Sequence, residues 1–312
     1  MKVKLTGLVL FPDSLWCSSE VLDSVINARI GGIPVQLAFP RKLERKNADG
    51  EVFDGIFNSL ASPRGAEKWK IGGSDIGWGH THFDGTSEIR RVVIFSECSE
   101  ENVKSTAKAL YSDVGRWERA FLEYCYIISR QNPIVQNSFY TIGCKFQLCA
   151  EKPIYMVSPD VNPPTCPLPF EVLSAGEIRE ACEFASKDTS LLLEYQLLNE
   201  AYSAFINGKN RQAIMDACSA LEIVMVKQIR KYCKSLNLDE EILLSKYQSL
   251  GERVRLVQKL YTSFFIDNLV RNTVYLRNAV AHSNTVYPSN EETGRLIDNV
   301  EKAMKFFHDG YY

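Results

Sequence analysis

Ser158-Pro159-Asp160-Val161-Asn162-Pro163-Pro164-Thr165-Cys166-Pro167-Leu168-Pro169-Phe170 divides the chain into two kinds of sequence. Five of the twelve prolines fall within it. Proline removes a backbone donor and fixes φ, so a stretch this dense joins neither a helix nor the inside of a sheet; it reads as an extended connector. Before it, apolar residues come in short runs broken by glycine and proline. After it they recur every 3.6 residues and continue to do so to the end of the chain. The two periods predict an α+β protein. Residues 1–157 form a mixed α/β domain with mostly antiparallel strands, 158–170 a linker, and 171–312 an all-helical bundle.

Downstream of the connector, the spacing predicts a first helix over Ile178–Ala185. A second follows from Leu191 to Phe205, stopped by Asn207-Gly208, and a long third from Arg211 to Lys234. Asp239-Glu240-Glu241 opens a shorter one, and Val254–Phe264 makes another. An amphipathic helix then runs from about Phe265 to His282, with Phe265, Leu269, Val270, Val274, Leu276, Val280 and Ala281 as its core stripe. A last helix begins near Ser289 and carries Leu296, Val300, Met304 and Phe307. Long helices joined by short loops indicate a bundle.

Upstream, Val3, Leu5, Leu8, Leu10 and Phe11 predict a strand stopped by Pro12-Asp13. Val21–Ile26 is open between helix and strand. Gly31-Gly32 marks a turn into an edge-type strand, Ile33–Phe39, ended by Pro40. Trp69, Ile71, Ile76 and Trp78 suit broken strands, and Arg91–Phe95 reads as a buried one. A helix opens at Ser99 or Glu100, and after Gly115 it continues or restarts through Ile128. Strand character returns over residues 139–157.

The 312 residues are 45% hydrophobic and 24% charged, a soluble globular composition, and the net charge is -2. From Phe170 onward 17 Lys and Arg stand against 19 Asp and Glu, so neither half is strongly basic. Nucleic-acid binding would therefore need a local patch. The nine cysteines, Cys17, Cys98, Cys125, Cys144, Cys149, Cys166, Cys182, Cys218 and Cys233, are odd in number and include no CxxC. Reduced thiols are expected, with a cytoplasmic location. The N-terminal apolar run is too short for a signal peptide, and no apolar run is long enough to span a membrane.

Three constellations offer chemistry. His80-Thr81-His82, followed by Asp84, places two imidazoles on one side of a strand, a pattern that can begin a metal site. Its ordinary reading is a polar strand end leading into the Asp84-Gly85 turn. Lys227, Arg230, Lys231 and Lys234 share one helical face and suit a phosphate backbone, or else simply a solvated surface. Leu276-Arg277-Asn278-Ala279-Val280-Ala281-His282 places Asn278 and His282 on one helical face with Arg277 beside it; read plainly, this is a polar helix end.

Residues from about Leu191 to Phe307 resemble the HEPN superfamily, helical domains found in defence ribonucleases. The resemblance rests on Leu197–Lys209, on the helix from Ala213-Ile214 through Ala220-Leu221-Glu222, and on Arg277-Asn278 with His282. That last set matches the family pattern of Arg, a polar residue, three variable residues and His. The resemblance implies a metal-independent endoribonuclease, without cofactor, acting on RNA in cellular or antiviral defence. It also implies a homodimer formed through the helical domain, and a trigger or partner bound by the N-terminal domain. Arg277, Asn278 and His282 would be catalytic, with Glu222 at a frequent acidic position of the family. The same resemblance allows a non-catalytic module that binds RNA, nucleotide or protein, and His80 with His82 leaves a metal-dependent hydrolase as a third expectation.

Overall fold

The computed structural model describes residues 2–43, 57–67, 70–71, 74–75, 77–82, 84–130, 145–147, 171–187, 189–283, 286–308 and 310. The proline-rich connector and the strand expected over Ile154–Val157 lie outside them. The architecture is α+β: an antiparallel sheet followed by helices. Two compact units divide the chain, Met1–Ser190 and Leu191–Tyr312.

In the first unit the strands are β1 (Lys2–Ser18), β2 (Val25–Ile30), β3 (Ile33–Ala38), β4 (Arg41–Lys42), β5 (Phe57–Ala61), β6 (Lys70–Ile71), β7 (Ser74–Asp75), β8 (Gly79–His82), β9 (Thr86–Ser99) and β10 (Lys145–Gln147). β9 is the spine. One of its edges pairs with β1 along almost its whole length, from Lys2↔Ser99 to Ser18↔Thr86. The other is shared between β8, at Ser87–Ile89, and β3, at Val93–Phe95. Val92, Val93 and Ile94 are fully buried, as their unbroken apolar run requires.

β1 does not stop at Pro12-Asp13. Its pairing with β9 shifts between Leu10 and Leu15 and resumes, so the proline falls in a bulge, where a missing N–H costs no ladder bond. The ambiguous Val21–Ile26 resolves into a short 3₁₀ turn, Ser19–Val21, and the start of β2. Gly31 (φ 55°) and Gly32 (φ 79°) both take the left-handed conformation that a two-residue hairpin demands. β3 is not an edge strand, for it lies between β2 and β9. It tolerates Pro34 because β9 pairs only from Gln36 onward, and the Ser96 hydroxyl takes up the Pro34 carbonyl at 3.0 Å.

After a 3₁₀ turn at Glu100–Asn102, α1 (Val103–Ser129) runs unbroken past Gly115. α2 (Ala175–Ser186) starts from a capping box of Ser174 and Glu177, with bonds of 3.2 and 2.7 Å. Although its periodicity placed it with the helical bundle, α2 packs on α1 and β2, with Phe184 stacked on Tyr124 at 5.1 Å. The segment before it bonds to β1 through Ser18 N–H to Leu173 O (2.8 Å) and Leu173 N–H to Trp16 O (3.1 Å). Those tertiary contacts put the helix in the first unit.

The second unit holds α3 (Leu193–Ile206), α4 (Asn210–Ser235), α5 (Glu240–Lys246), α6 (Leu250–Leu260), a π turn (Val270–Tyr275), α7 (Leu276–His282) and α8 (Asn290–Phe306). Asp239 caps α5 and a capping box of Ser289 with Glu292 opens α8, as expected. A box of Ser249 with Glu252 opens α6 at Leu250, four residues before the expected Val254, and the helix ends at Leu260. α4 is central. Ala213, Ile214, Ala217, Cys218, Leu221 and Met225 on it are buried, and α3, α6, α7 and α8 all pack on it. Two rungs join α3 to α8: Tyr202 O–H donates to Glu301 Oε2 at 2.6 Å, and Tyr195 Oη lies 2.7 Å from His308 Nδ1.

Candidate functional site

The helix carrying Arg277, Asn278 and His282 differs from the continuous one expected from Phe265. It begins as the π turn at Val270 and becomes α-helical only at Leu276. The wider turn resets the helical phase, because each π turn consumes an extra residue. The buried residues are accordingly Leu269, Thr273, Val274 and Val280. Phe265 is 77% exposed, Ala281 is exposed, and Val270 and Leu276 are half-buried. Four of the seven residues predicted for the core stripe are therefore not in the core.

With the phase set this way, the outward side of the π turn and α7 is Arg271, Asn272, Tyr275, Asn278, Ala279 and His282, all exposed. Asn278 and His282 share that side, as their spacing predicts. Arg277 is half-buried beside it and donates from Nη1 to Asn278 Oδ1 at 3.1 Å. Its charge reaches Cys218 on α4. Burial pushes that thiol up to about 12, against the pull of Arg277 and with the push of Glu222. His282 makes no hydrogen bond or ion pair with the described residues, so its imidazole is open to solvent. Tyr275 and Arg271 were not anticipated; their spacing of four from each other, and of three and seven from Asn278, was the available signal.

What holds this helix is Arg211, in the first turn of α4. Its Nη1 donates to Ser283 O (2.8 Å) and Val286 O (2.9 Å), and its Nη2 to Val280 O (2.8 Å). The last carbonyls of a helix have no partner within it, and a guanidinium fork can take several at once. Arg211 thus fastens the chain on both sides of His282. Sequence reasoning missed it, although one local sign existed. A cation at a helix N-terminus opposes the dipole and so usually has its reason elsewhere. On the inward side, Cys218 Sγ approaches Thr273 O at 4.0 Å, joining α4 to the π turn.

Glu222 does not face the motif as a free acid. Its carboxylate is ion-paired with Arg253 of α6, whose Nε also donates to Tyr247 O at 3.0 Å. The basic face of α4 is partly neutralised. Lys227 binds the buried Glu194 at 2.6 Å and Arg230 pairs with Glu240 at 3.2 Å, while Lys231 and Lys234 are exposed. Lys227 stands nine residues beyond Cys218 and Lys234 sixteen, about 13 and 24 Å along the helix axis. Within one chain, the basic face and α7 do not form a single site.

His80 and His82 lie on β8, both half-buried. The His82 ring stacks on Trp16, with centroids 4.8 Å apart and planes at 26°. Asp84 accepts from the Thr86 hydroxyl (2.7 Å) and the Thr86 N–H (3.0 Å), and these bonds hold its carboxyl below the ordinary range. It shapes the turn rather than reaching for a metal. Among the described residues, no group of three or more His, Cys, Asp or Glu side chains is placed to hold an ion. The six described cysteines are unpaired, and burial pushes the thiols of Cys17, Cys125 and Cys182 up, away from thiolate chemistry. No described helix is long and apolar enough to cross a membrane.

Comparison of the chain with protein-family models, with curated proteins and with solved structures gives no match in any of the three.

Proposed function

We propose that this protein is a metal-independent endoribonuclease of HEPN type, working as a homodimer in cellular or antiviral defence. One observation carries the reading. The Arg277-Asn278-x-x-x-His282 pattern stands on a helix whose inner side is anchored to α4 and whose outer side presents Asn278 and His282 to solvent, with Arg277 beside them. A reactive imidazole must be reachable by substrate and carried on a fixed backbone; His282 is exposed, and Arg211 binds carbonyls on both sides of it, which supports the reading.

The chemistry follows from the groups. The ribose 2′-oxygen attacks the adjacent phosphorus, forming a P–O bond as the bond to the 5′-oxygen breaks. A base receives the 2′-hydroxyl proton, an acid protonates the departing 5′-oxygen, and the products end in a 2′,3′-cyclic phosphate and a 5′-hydroxyl. His282 is suited to either proton transfer, since an imidazole has one nitrogen that accepts a proton and one that donates it. Arg277 is suited to the phosphate oxygens, where negative charge grows in the transition state. Tyr275 supplies an exposed ring on which a base can stack. One chain offers one histidine at this place, and two-fold pairing of α7 helices would supply the second.

The test uses the full chain, single-stranded RNA and EDTA, with products identified by mass spectrometry and the oligomer by light scattering. Cyclic phosphate ends from the wild type, their loss in His282→Ala, and a dimer are expected. Uncleaved RNA, or equal cleavage by His282→Ala, overturns the nuclease reading. Equal RNA affinity of the two proteins without any product would identify a binding module instead. Expression in virus-challenged cells, wild type against His282→Ala, tests the defence role.

A further inference from the structure

Among the described residues, the first unit leaves one margin of its sheet unpaired beside a helix. Among those residues β2 pairs only with β3, and the two-residue Gly31-Gly32 hairpin fixes which of its backbone groups point inward. Ile30 and Ile33 flank the turn as a hydrogen-bonded pair, so Ile26, Ala28 and Ile30 face β3, and Val25, Asn27 and Arg29 turn their N–H and C=O groups outward. The Arg29 N–H confirms this register, because it donates outward to Ser186 Oγ of α2 at 2.9 Å. Between β2 and α2 lies an open channel of about 500 Å³, lined by Val25–Arg29 on one wall and by Arg179, Glu183 and Ser186 on the other. These last three residues recur at helical spacing and form one face of α2. The channel closes at the Arg29–Ser186 bond and opens toward Val25, which is 57% exposed.

We propose that this channel docks an extended peptide that carries an acidic side chain and adds to the sheet as a strand beside β2. A row of outward amides and carbonyls at alternate residues is the chemistry that selects an extended backbone over a helix or a small molecule. From Val25 to Arg29 the strand spans about 14 Å, room for roughly four paired residues. The charges select the side chain. Glu183 is held by Lys187 at 2.8 Å and Arg29 Nη1 by Gly32 O at 3.0 Å, whereas Arg179 forms no ion pair with any described residue. The wall facing the open end of β2 is therefore cationic, and a carboxylate on the incoming strand meets Arg179.

The experiment pans a phage-displayed library of linear twelve-residue peptides on the full chain. An enriched peptide is then synthesised and titrated by fluorescence anisotropy against wild type, Asn27→Pro and Arg179→Glu. Asn27→Pro removes one outward donor and leaves the backbone bonds to β3 in place, at the loss of the side-chain bond from Gln36 Nε2 to Asn27 Oδ1 (3.4 Å). Arg179→Glu changes an exposed helix residue and tests the site if the proline variant fails to fold. Expected are enriched peptides with Asp or Glu among β-formers. Binding should weaken about ten-fold for the proline variant and about five-fold for the charge reversal, with recovery when the peptide's acid becomes lysine. Failure of any peptide to enrich, or equal binding by all three proteins, overturns the proposal. So does dimerisation that Arg179→Glu abolishes, which would assign the edge to a second copy of the chain.

Discussion

Two histidine motifs stand out in the sequence, and the structure treats them in opposite ways. In the first unit, the His82 ring of His80-Thr81-His82 lies against Trp16, and the nearby Asp84 is engaged by Thr86. In the second unit, His282 ends a short helix with its ring in solvent, while Arg211 ties down the carbonyls around it. One motif is absorbed into its own fold; the other has its backbone held and its side chains left available. What separates a candidate site from a structural feature here is the state of the side chain after packing, since histidine is common to both motifs.

The buried carboxylates repeat the contrast. Glu301 is buried with Tyr202 and Lys305 as partners, at 2.6 and 3.1 Å. Glu118 is buried in α1 with no described residue donating to it, and burial pushes its carboxyl up to about 8.

The largest effect should come from exchanging the two motifs as targets. His282→Ala is expected to lower RNA cleavage by about 10³-fold, within the usual range for an acid–base group. His82→Ala should leave cleavage unchanged and cost about 1 kcal/mol of stability through the lost stacking with Trp16. Denaturant titration and a gel assay read both. Equal losses of cleavage would erase the distinction between the motifs.

Next comes the fastening of α7. Arg211→Ala leaves three carbonyls without their cation and should destabilise that end of the helix by about 2–3 kcal/mol. Amide hydrogen exchange over residues 276–286 should quicken with no RNA present, and cleavage should fall about a hundred-fold at unchanged RNA affinity. Exchange that stays at the wild-type level would show that the clamp does not hold His282. Quickened exchange with full activity would show that the holding is irrelevant to the reaction.

A smaller effect concerns Glu118. A carboxyl raised in the folded state binds its proton more tightly there than in the unfolded chain, so folding loses stability as pH rises from about 4.5 to about 8. Glu118→Gln should match the wild type near pH 4 and exceed it above pH 8, by roughly 1–3 kcal/mol. Thermal melts across that window check it. A difference that does not change with pH would mean the carboxyl is not held neutral.

The smallest effect is expected at the basic face of α4. Lys231→Ala with Lys234→Ala should weaken RNA binding by about three-fold and reduce the salt slope by roughly one unit. A loss as large as that of His282→Ala would place these lysines in the substrate path, despite their distance along α4 from Cys218 and Arg277.

Much of this was legible locally. Ser289 with Glu292 and Asp239 start helices where their spacing says they should, because capping joins residues no more than three apart. The box of Ser249 with Glu252 went unread, and α6 starts four residues before the expected Val254. Asn278 and His282 share an exposed side for the same reason. The inner face of that helix was misread at Phe265 and Ala281, because the π turn has no sequence signature and shifts the phase. Arg211 was invisible as a clamp, since its partners lie 69 to 75 residues away. α2 carries a bundle-like period, yet it packs on α1 and β2, because an amphipathic face does not specify which surface will cover it.

The sequence by itself determined the order of sheet and helices, the limits of most helices and the position of the Arg-Asn-x-x-x-His pattern. All of these depend on residues within a few positions of one another, where propensity, capping and period act. Only the tertiary structure decided which polar groups remain available. It laid Trp16 against His82, paired Lys227 with Glu194 and Glu222 with Arg253, brought Arg211 to the end of α7, and left the outer edge of β2 without a strand partner among the described residues. Availability depends on what packing brings within hydrogen-bonding or van der Waals reach, and those partners are far apart in the chain.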